Sequence, residues 1–233
     1  EFAERLIKMS GGKVLTYGIK NKADFLAKDI KLSQTGTDFT LVSPNDETTI
    51  NTPLVGLHNV YNILAAIGTA YEEGLSLEQI KNGIEKLKNI PGRLESIENN
   101  KGFAVLVDYA HTEDALINVL TILKKVCTGK IITVFGCGGD RDKTKRPKMG
   151  KVATEMGDFA IITSDNPRSE DPQIIANEVA AGIDKDNYKI IIDRGEAVKE
   201  AIKMARPNDC VLLAGKGHES YQIFKDSRIH FDD

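Results

Sequence analysis

Between Phe103 and Gly215 short apolar runs alternate with longer amphipathic ones, and this alternation constrains the fold more than any other feature of the chain. The runs "FAVLVDYA" (103–110), "KIITVFG" (130–136), "FAIITS" (159–164), "YKIIID" (188–193) and "CVLLAG" (210–215) have the length and β-branched content of strands. Between them "EDALINVLTILKKV" (113–126), "RPKMGKVATEMG" (146–157), "PQIIANEVAAGI" (172–183) and "GEAVKEAIKMA" (195–205) carry helical spacing. A half-buried strand alternates apolar and polar residues, whereas a strand covered on both faces is apolar nearly throughout. These runs are of the second kind. They predict an α/β fold, a Rossmann-like, doubly wound, mostly parallel sheet.

That topology sorts the loops. Each segment that follows a strand lies at the carboxyl edge of the sheet, where open α/β folds bind ligands. Those segments are Asp108-Tyr109-Ala110-His111, "GCGGDRDKTKRP" (136–147), "DNPRSED" (165–171), Asp193-Arg194-Gly195 and "GKGHES" (215–220). The opposite connections, "CTG" (127–129), "GD" (157–158) and "RPND" (206–209), read as plain turns. Glycine and charge have gathered on one edge, which is the mark of a site.

Each loop also has a bland reading. "GCGGDRDKTKRP" exceeds the 2–6 residues usual for a βα loop, and its glycines would let backbone approach an anion. It is no dinucleotide fingerprint, because Arg141 stands where GxGxxG needs its third glycine, and no GxxxxGK[ST] occurs in the chain. The alternative is a mobile basic surface loop. "GKGHES" is weak evidence alone, and His111 and His218 lack any zinc spacing. Asp108 ends a strand, where a carboxylate often binds backbone amides. In "TSDNPRSED" Arg168 stands among Asp165, Glu170 and Asp171, more charge than a turn requires.

Residues 1–91 differ from the rest. "KVLTYG" reads as a strand, and residues 28–56 as a small antiparallel meander broken by Thr-Gly-Thr and Ser-Pro-Asn-Asp turns. Val60, Ile63, Leu64, Ile67, Ala70 and Tyr71 form one helical stripe that Gly74 ends, with Asn59 and Asn62 sharing a face at its start. The bland reading of that asparagine pair is a helix cap and an exposed neighbour. Ser76 and Gln79 form a capping box for a second helix, and Ile90-Pro91-Gly92 reads as a linker. Next to it, Arg93 and Glu95 read most simply as a surface ion pair. The formal charge of −3 speaks against nucleic acid, and no apolar run approaches the span of a bilayer. Cys127, Cys137 and Cys210 lack CxxC spacing, so reduced thiols in a cytoplasmic protein are expected. The start at Glu1 and the ending "RIHFDD" suggest a piece of something longer.

The ordered set "HNVYNILAA" (58–66), "GRLE" (92–95), "DYAHT" (108–112), "GCGGDRDKTKRPKMG" (136–150), "DNPR" (165–168) and "GKGHE" (215–219) resembles the Mur ligase family of ATP-dependent amide ligases. Within the family it is similar to the branch that adds the third residue of the peptidoglycan stem peptide. Its "DNPR" is similar to the members that add meso-diaminopimelate. The resemblance implies that residues 1–91 are the trailing part of a central ATPase domain and 92–233 the amino-acid-receiving domain. The P-loop and a uridine-nucleotide domain would then lie upstream. It implies ATP and Mg²⁺ as cofactors, most of the metal ligands being upstream and none assigned in this chain. The implied partners are meso-diaminopimelate and UDP-N-acetylmuramoyl-L-alanyl-D-glutamate, with no nucleic acid, no membrane and a monomeric enzyme.

Carried over by motif, Arg141, Asp165, Asn166, Arg168, Gly215 and Glu219 would bind the amino acid, and Asn59, Asn62, Arg93 and Asp108 would face ATP. No residue is assigned a catalytic role by motif, and that of His111 stays open. Glu113 stands where relatives carry proline, a position in a helix's first turn that accepts either. This chain alone is expected to bind amino acid weakly and not to turn over. Other readings are a lysine-adding or folate-extending ligase, a non-catalytic amino-acid-binding module, and a dinucleotide-dependent oxidoreductase, the last weakened by the missing GxGxxG.

Overall fold

The computed structural model describes residues 2–33 and 35–233, so Gln34, beside the expected Thr-Gly-Thr turn, lies outside the described residues. One compact unit ends at Lys88 and a second spans Asn89–Asp233.

The first unit contains α1 (Phe2–Met9), β1 (Tyr17–Gly18), β2 (Phe25–Leu32), β3 (Thr37–Val42), β4 (Glu47–Thr52), α2 (Leu57–Glu72) and α3 (Leu77–Lys86). The meander is present as β2-β3-β4, antiparallel throughout, with a bulge between Lys28 and Lys31 where Asp29 sits at φ 52°. The strand expected over "KVLTYG" shortens to Tyr17–Gly18, parallel to β2. Its Thr16 N–H goes to the Asp24 carboxylate instead of a ladder partner, a local side-chain bond that competes with sheet. Val60, Ile63, Leu64 and Ile67 of α2 are buried in a core with Phe25, Phe39 and Ile50. Gly74, at φ 84°, ends α2 as expected, and the Ser76–Gln79 capping box opens α3.

The second unit runs β5 (Glu95–Ile97), β6 (Ala104–Asp108), α4 (Glu113–Val126), β7 (Ile131–Phe135), α5 (Lys145–Met156), β8 (Phe159–Ile162), α6 (Pro172–Ala180), β9 (Tyr188–Ile190), α7 (Arg194–Met204), β10 (Cys210–Ala214), β11 (Tyr221–Ile223) and β12 (Arg228–His230). Across its main sheet the order is β5-β6-β10-β7-β8-β9. The five runs read from the sequence pair in parallel, and β5 adds an antiparallel edge. Strand residues 105, 107, 132, 134, 161, 211 and 213 pack with Ala197 and Ala201 of α7 on one face. Helices α4, α5 and α6 lie side by side, with α5 and α6 against β8. Because β10 inserts between β6 and β7, the loops after β6, β10, β7 and β8 become neighbours at one edge. Among the described residues no helix is long and apolar enough to cross a membrane.

Candidate functional site

The loop after β7 and the loop after β8 are stitched to each other. Gly139 donates its N–H to the Asn166 carbonyl at 2.9 Å, and Arg168 Nη1 donates to the Gly139 carbonyl at 2.8 Å. A Cβ at Gly139 would fall 1.9 Å from the Pro167 carbonyl oxygen, so only glycine permits this approach. Asp140 accepts from the Ser169 N–H and hydroxyl at 3.2 and 2.6 Å. Asp140 and Arg168 sit at φ 54° and 53°. Left-handed backbone costs a non-glycine residue about 1–3 kcal/mol, and here the cross-loop bonds hold it in place.

None of the three carboxylates around Arg168 pairs with it. Asp165 Oδ1 accepts the adjacent Asn166 N–H at 2.6 Å. Glu170 accepts from Arg146, from Lys143 and from the Asp140 N–H. These partners, Arg146 foremost, hold its carboxyl far below the usual carboxylate range. Asp171 is the N-cap of α6, accepting from the Gln173 N–H ahead of Pro172. Among the described residues the Arg168 guanidinium therefore bonds only the carbonyls of Gly139 and Asn166, through one nitrogen, while its backbone N–H goes to the Ile223 carbonyl. Arg141 is exposed and makes no hydrogen bond or ion pair among the described residues. A methyl on Gly138 would lie 2.8 Å from Arg168 Nη1 and 3.7 Å from Arg141 Cγ, so both arginines flank one bare glycine.

The remaining amino-acid candidates meet beside them. Asn166 bridges two elements: its Nδ2 donates to Glu219 Oε2 at 2.8 Å and its Oδ1 accepts the Ile223 N–H at 2.9 Å. Gly215, at φ 111°, lets the backbone pass Asp165, whose Oδ2 would lie 2.9 Å from a Cβ there. Asp165 is nearly buried, and Oδ2 takes no hydrogen bond among the described residues. Burial, then the negative charge of Glu219 and Asp165, raises the pKa of the Tyr109 phenol, so it stays protonated. The structure thus gathers Arg141, Asp165, Asn166, Arg168, Gly215 and Glu219 at one place. It offers two guanidinium groups with free N–H and two carboxylates, a donor and acceptor set suited to an amino acid with more than one charged end.

The four ATP candidates divide. In the second unit Arg93 is exposed, 5.7 Å from the Tyr109 ring centroid. Asp108 is buried and accepts the Leu94 N–H at 2.8 Å; burial outweighs that bond and raises its pKa. Asp108 thus behaves as the amide-binding strand end that its position allows. Glu95 takes the Gly92 N–H and the Asn89 amide, so the surface ion pair with Arg93 is absent. In the first unit Asn59 is fully buried, its Nδ2 donating to the Val55 carbonyl and its Oδ1 accepting from Asn62 at 3.4 Å. The helix cap is Gly56, so neither asparagine is the cap. Asn62 and Arg93 carry the free polar atoms of this group. His111 Nδ1 bonds the Tyr109 carbonyl, and its ring leans on Tyr109 at 4.6 Å. Among the described residues no group of three His, Cys, Asp or Glu is arranged to hold a metal ion.

Three buried cations escaped the sequence reading. Lys216 donates to the Tyr221 carbonyl and reaches Glu219 Oε2 at 3.4 Å. Arg194 pairs with the Asp233 carboxylate and the Ala214 carbonyl. Arg146 bonds Glu170, Glu178 and the Gly138 carbonyl. It had a legible signal, since with Met149, Gly150 and Ala153 it falls at i, i+3, i+4 and i+7 on the buried stripe of α5. Lys216 and Arg194 had none, because the hairpin β11-β12 and the return of Asp233 are non-local.

Two family models match the chain: the Mur ligase glutamate ligase domain over residues 92–217 and the Mur ligase middle domain over residues 1–70. The chain belongs to the Mur ligase family. Within it, the chain is 44% identical over 234 residues to a UDP-N-acetylmuramoyl-L-alanyl-D-glutamate–2,6-diaminopimelate ligase of Clostridium botulinum, covering 100% of this chain and 48% of the relative. It is 48% identical over 220 residues to the protein of that name from Clostridioides difficile, covering 94% of this chain and 46% of the relative. A solved structure of a 2,6-diaminopimelate ligase of the same name superposes with a TM-score of 0.70 at 40% identity, over 99% of this chain and 49% of its own. The chain spans about half the length of the relatives it matches.

Proposed function

We propose that this chain supplies the amino-acid-receiving part of an ATP-dependent ligase that joins meso-diaminopimelate to UDP-N-acetylmuramoyl-L-alanyl-D-glutamate. The observation that carries the reading is the state of Arg168: three carboxylates stand within three residues of it in sequence, none pairs with it, and its guanidinium keeps free N–H groups. A fork of that kind suits a second carboxylate, which diaminopimelate has and lysine lacks. Asp165 and Glu219 would accept from an ammonium, and Arg141 would take another carboxylate.

ATP would convert the D-glutamate γ-carboxylate into an acyl phosphate, and Mg²⁺ would offset charge on its phosphates. The contribution of this chain is positioning. Holding the attacking amine against the acyl carbon is worth roughly 7–11 kcal/mol when alignment is good. On the nucleotide side we assign direct contact to Arg93 and Asn62, with Asp108 and Asn59 bracing the loops that carry them. In this reading residues 1–91 belong to the central domain and 92–233 to the amino-acid domain. We place the reaction in the cytoplasm and take the enzyme as a monomer.

The test is amino-acid competition in the full-length protein. Meso-diaminopimelate should be ligated in preference to L-lysine by ~10⁴-fold in kcat/KM, since a site built for hydrogen bonding rejects a substrate that leaves its donors unpaired. Equal use of lysine would refute the reading. The isolated chain should not turn over.

A further inference from the structure

We propose that Arg146 is a positioning residue that sets the affinity of the site for its amino acid without touching the substrate. The proposal rests on the reading of this edge as an amino-acid site. Arg146 is completely buried in the first turn of α5. Its guanidinium ties three segments together. Nη2 donates to the Gly138 carbonyl at 3.2 Å and to Glu170 Oε1 at 2.9 Å, while Nη1 donates to Glu170 Oε2 at 3.0 Å and to Glu178 Oε2 at 2.5 Å. Gly138 belongs to the loop that carries Arg141, Glu170 to the loop that carries Arg168, and Glu178 to α6.

Two consequences follow for the substrate-facing arginines. The first is spacing. Glu170 also takes the Asp140 N–H at 2.7 Å, so a single carboxylate fixes the residue before Arg141 and the residue two after Arg168. Both Asp140 and Arg168 hold left-handed backbone that would relax if the tie were cut. The second is charge. Glu170 is the carboxylate two residues from Arg168, and the bidentate bond to Arg146 keeps it from neutralising that guanidinium. Helices α5 and α6 are close enough for this because of glycine: a Cβ at Gly150 would fall 2.2 Å from the Val179 carbonyl oxygen, and one at Gly182 would fall 2.0 Å from that of Pro147. A lysine at 146 would keep the charge but present its donors from one point, and could not span Gly138, both Glu170 oxygens and Glu178.

The experiment is steady-state kinetics on Arg146→Lys in the full-length protein, with each substrate varied in turn. KM for meso-diaminopimelate should rise at least fivefold, while KM for ATP stays within twofold. Both constants are independent of the fraction of protein that is folded, so a merely destabilised variant leaves both unchanged. A smaller rise, or an equal rise for ATP, overturns the proposal. If Arg146→Lys yields no soluble protein, Glu170→Gln, which keeps the shape and breaks the bidentate pair, must show the same split. The wild-type control separates this from the functional reading. If wild type ligates a different amino acid, the proposed function fails, and the same split is read on the KM of that amino acid.

Discussion

The two edges of the parallel sheet in the second unit use charge in opposite ways. At the edge of the short turns, Asp209 accepts the N–H groups of Lys130 and Arg206, and Asp158 accepts that of Ile131. Those carboxylates complete the backbone of tight connections. At the other edge Asp165 Oδ1, Glu170 and Asp171 are bonded to backbone amides or to other cations, and none of the three pairs with Arg168 or Arg141. One edge is electrostatically closed and the other is held open. What marks a site is therefore the absence of mutual neutralisation among its own charges, more than their number.

The largest expected effect breaks the open edge directly. Arg168→Ala in the full-length protein should lower kcat/KM for meso-diaminopimelate about 100-fold or more, roughly 3 kcal/mol, with KM for ATP unchanged. Charge contacts of this strength are lost when one partner is truncated. Unchanged kcat/KM in a folded variant would mean that the free guanidinium faces nothing that matters.

A pair of glycines tests whether the two edges differ in function or only in charge. A Cβ at Gly139 would meet the Pro167 carbonyl, and one at Gly129 would lie 2.4 Å from Asp209 Oδ1. Each substitution to alanine overpacks a tight connection and should cost about 1–3 kcal/mol of stability, readable as a lower Tm. Only Gly139→Ala should also raise KM for the amino acid, by about tenfold, because only that glycine lets the two arginine-bearing loops meet. If Gly129→Ala moves KM as far, the closed edge shapes the amino-acid site as much as the open one does and the comparison fails.

The parallel sheet was legible because burial on both faces writes itself as uninterrupted apolar runs, which turn signals then separate. The sorting of loops followed from topology alone. The partners of charged side chains were not legible, since they depend on strand order that consecutive spacing does not encode. Nothing in "TSDNPRSED" says that Glu170 reaches Arg146, twenty-four residues back, rather than Arg168 two residues away. Asp108 shows the reverse limit. Its motif points to a ligand, while its strand-end position points to a backbone amide, and the Leu94 N–H is indeed bonded to it. The edge strand β5 and the hairpin β11-β12 escaped because their three-residue strands lie in no continuous apolar run, unlike the equally short β9 within "YKIIID".

The smallest expected effect uses the thiols as reporters of the same two edges. Cys137 lies in the glycine-rich loop of the open edge, yet it is buried, and burial pushes its thiol up to about 11. Cys127 and Cys210 lie at the closed edge. A hydrogen bond with Cys210 lowers the Cys127 thiol, and that bond together with burial raises Cys210. Thiolate is the reactive form, so Cys127, half-exposed, should be the first alkylated by iodoacetamide at pH 8, with Cys137 untouched until the unit unfolds. Peptide mapping after partial alkylation reads this directly. The open edge would then be open to anions while its backbone stays closed to reagents, as the cross-loop bonds of Gly139, Asp140 and Arg168 require. Cys137 reacting as fast as Cys127 would show those loops parting in solution, and the fixed spacing of the two arginines would go with them.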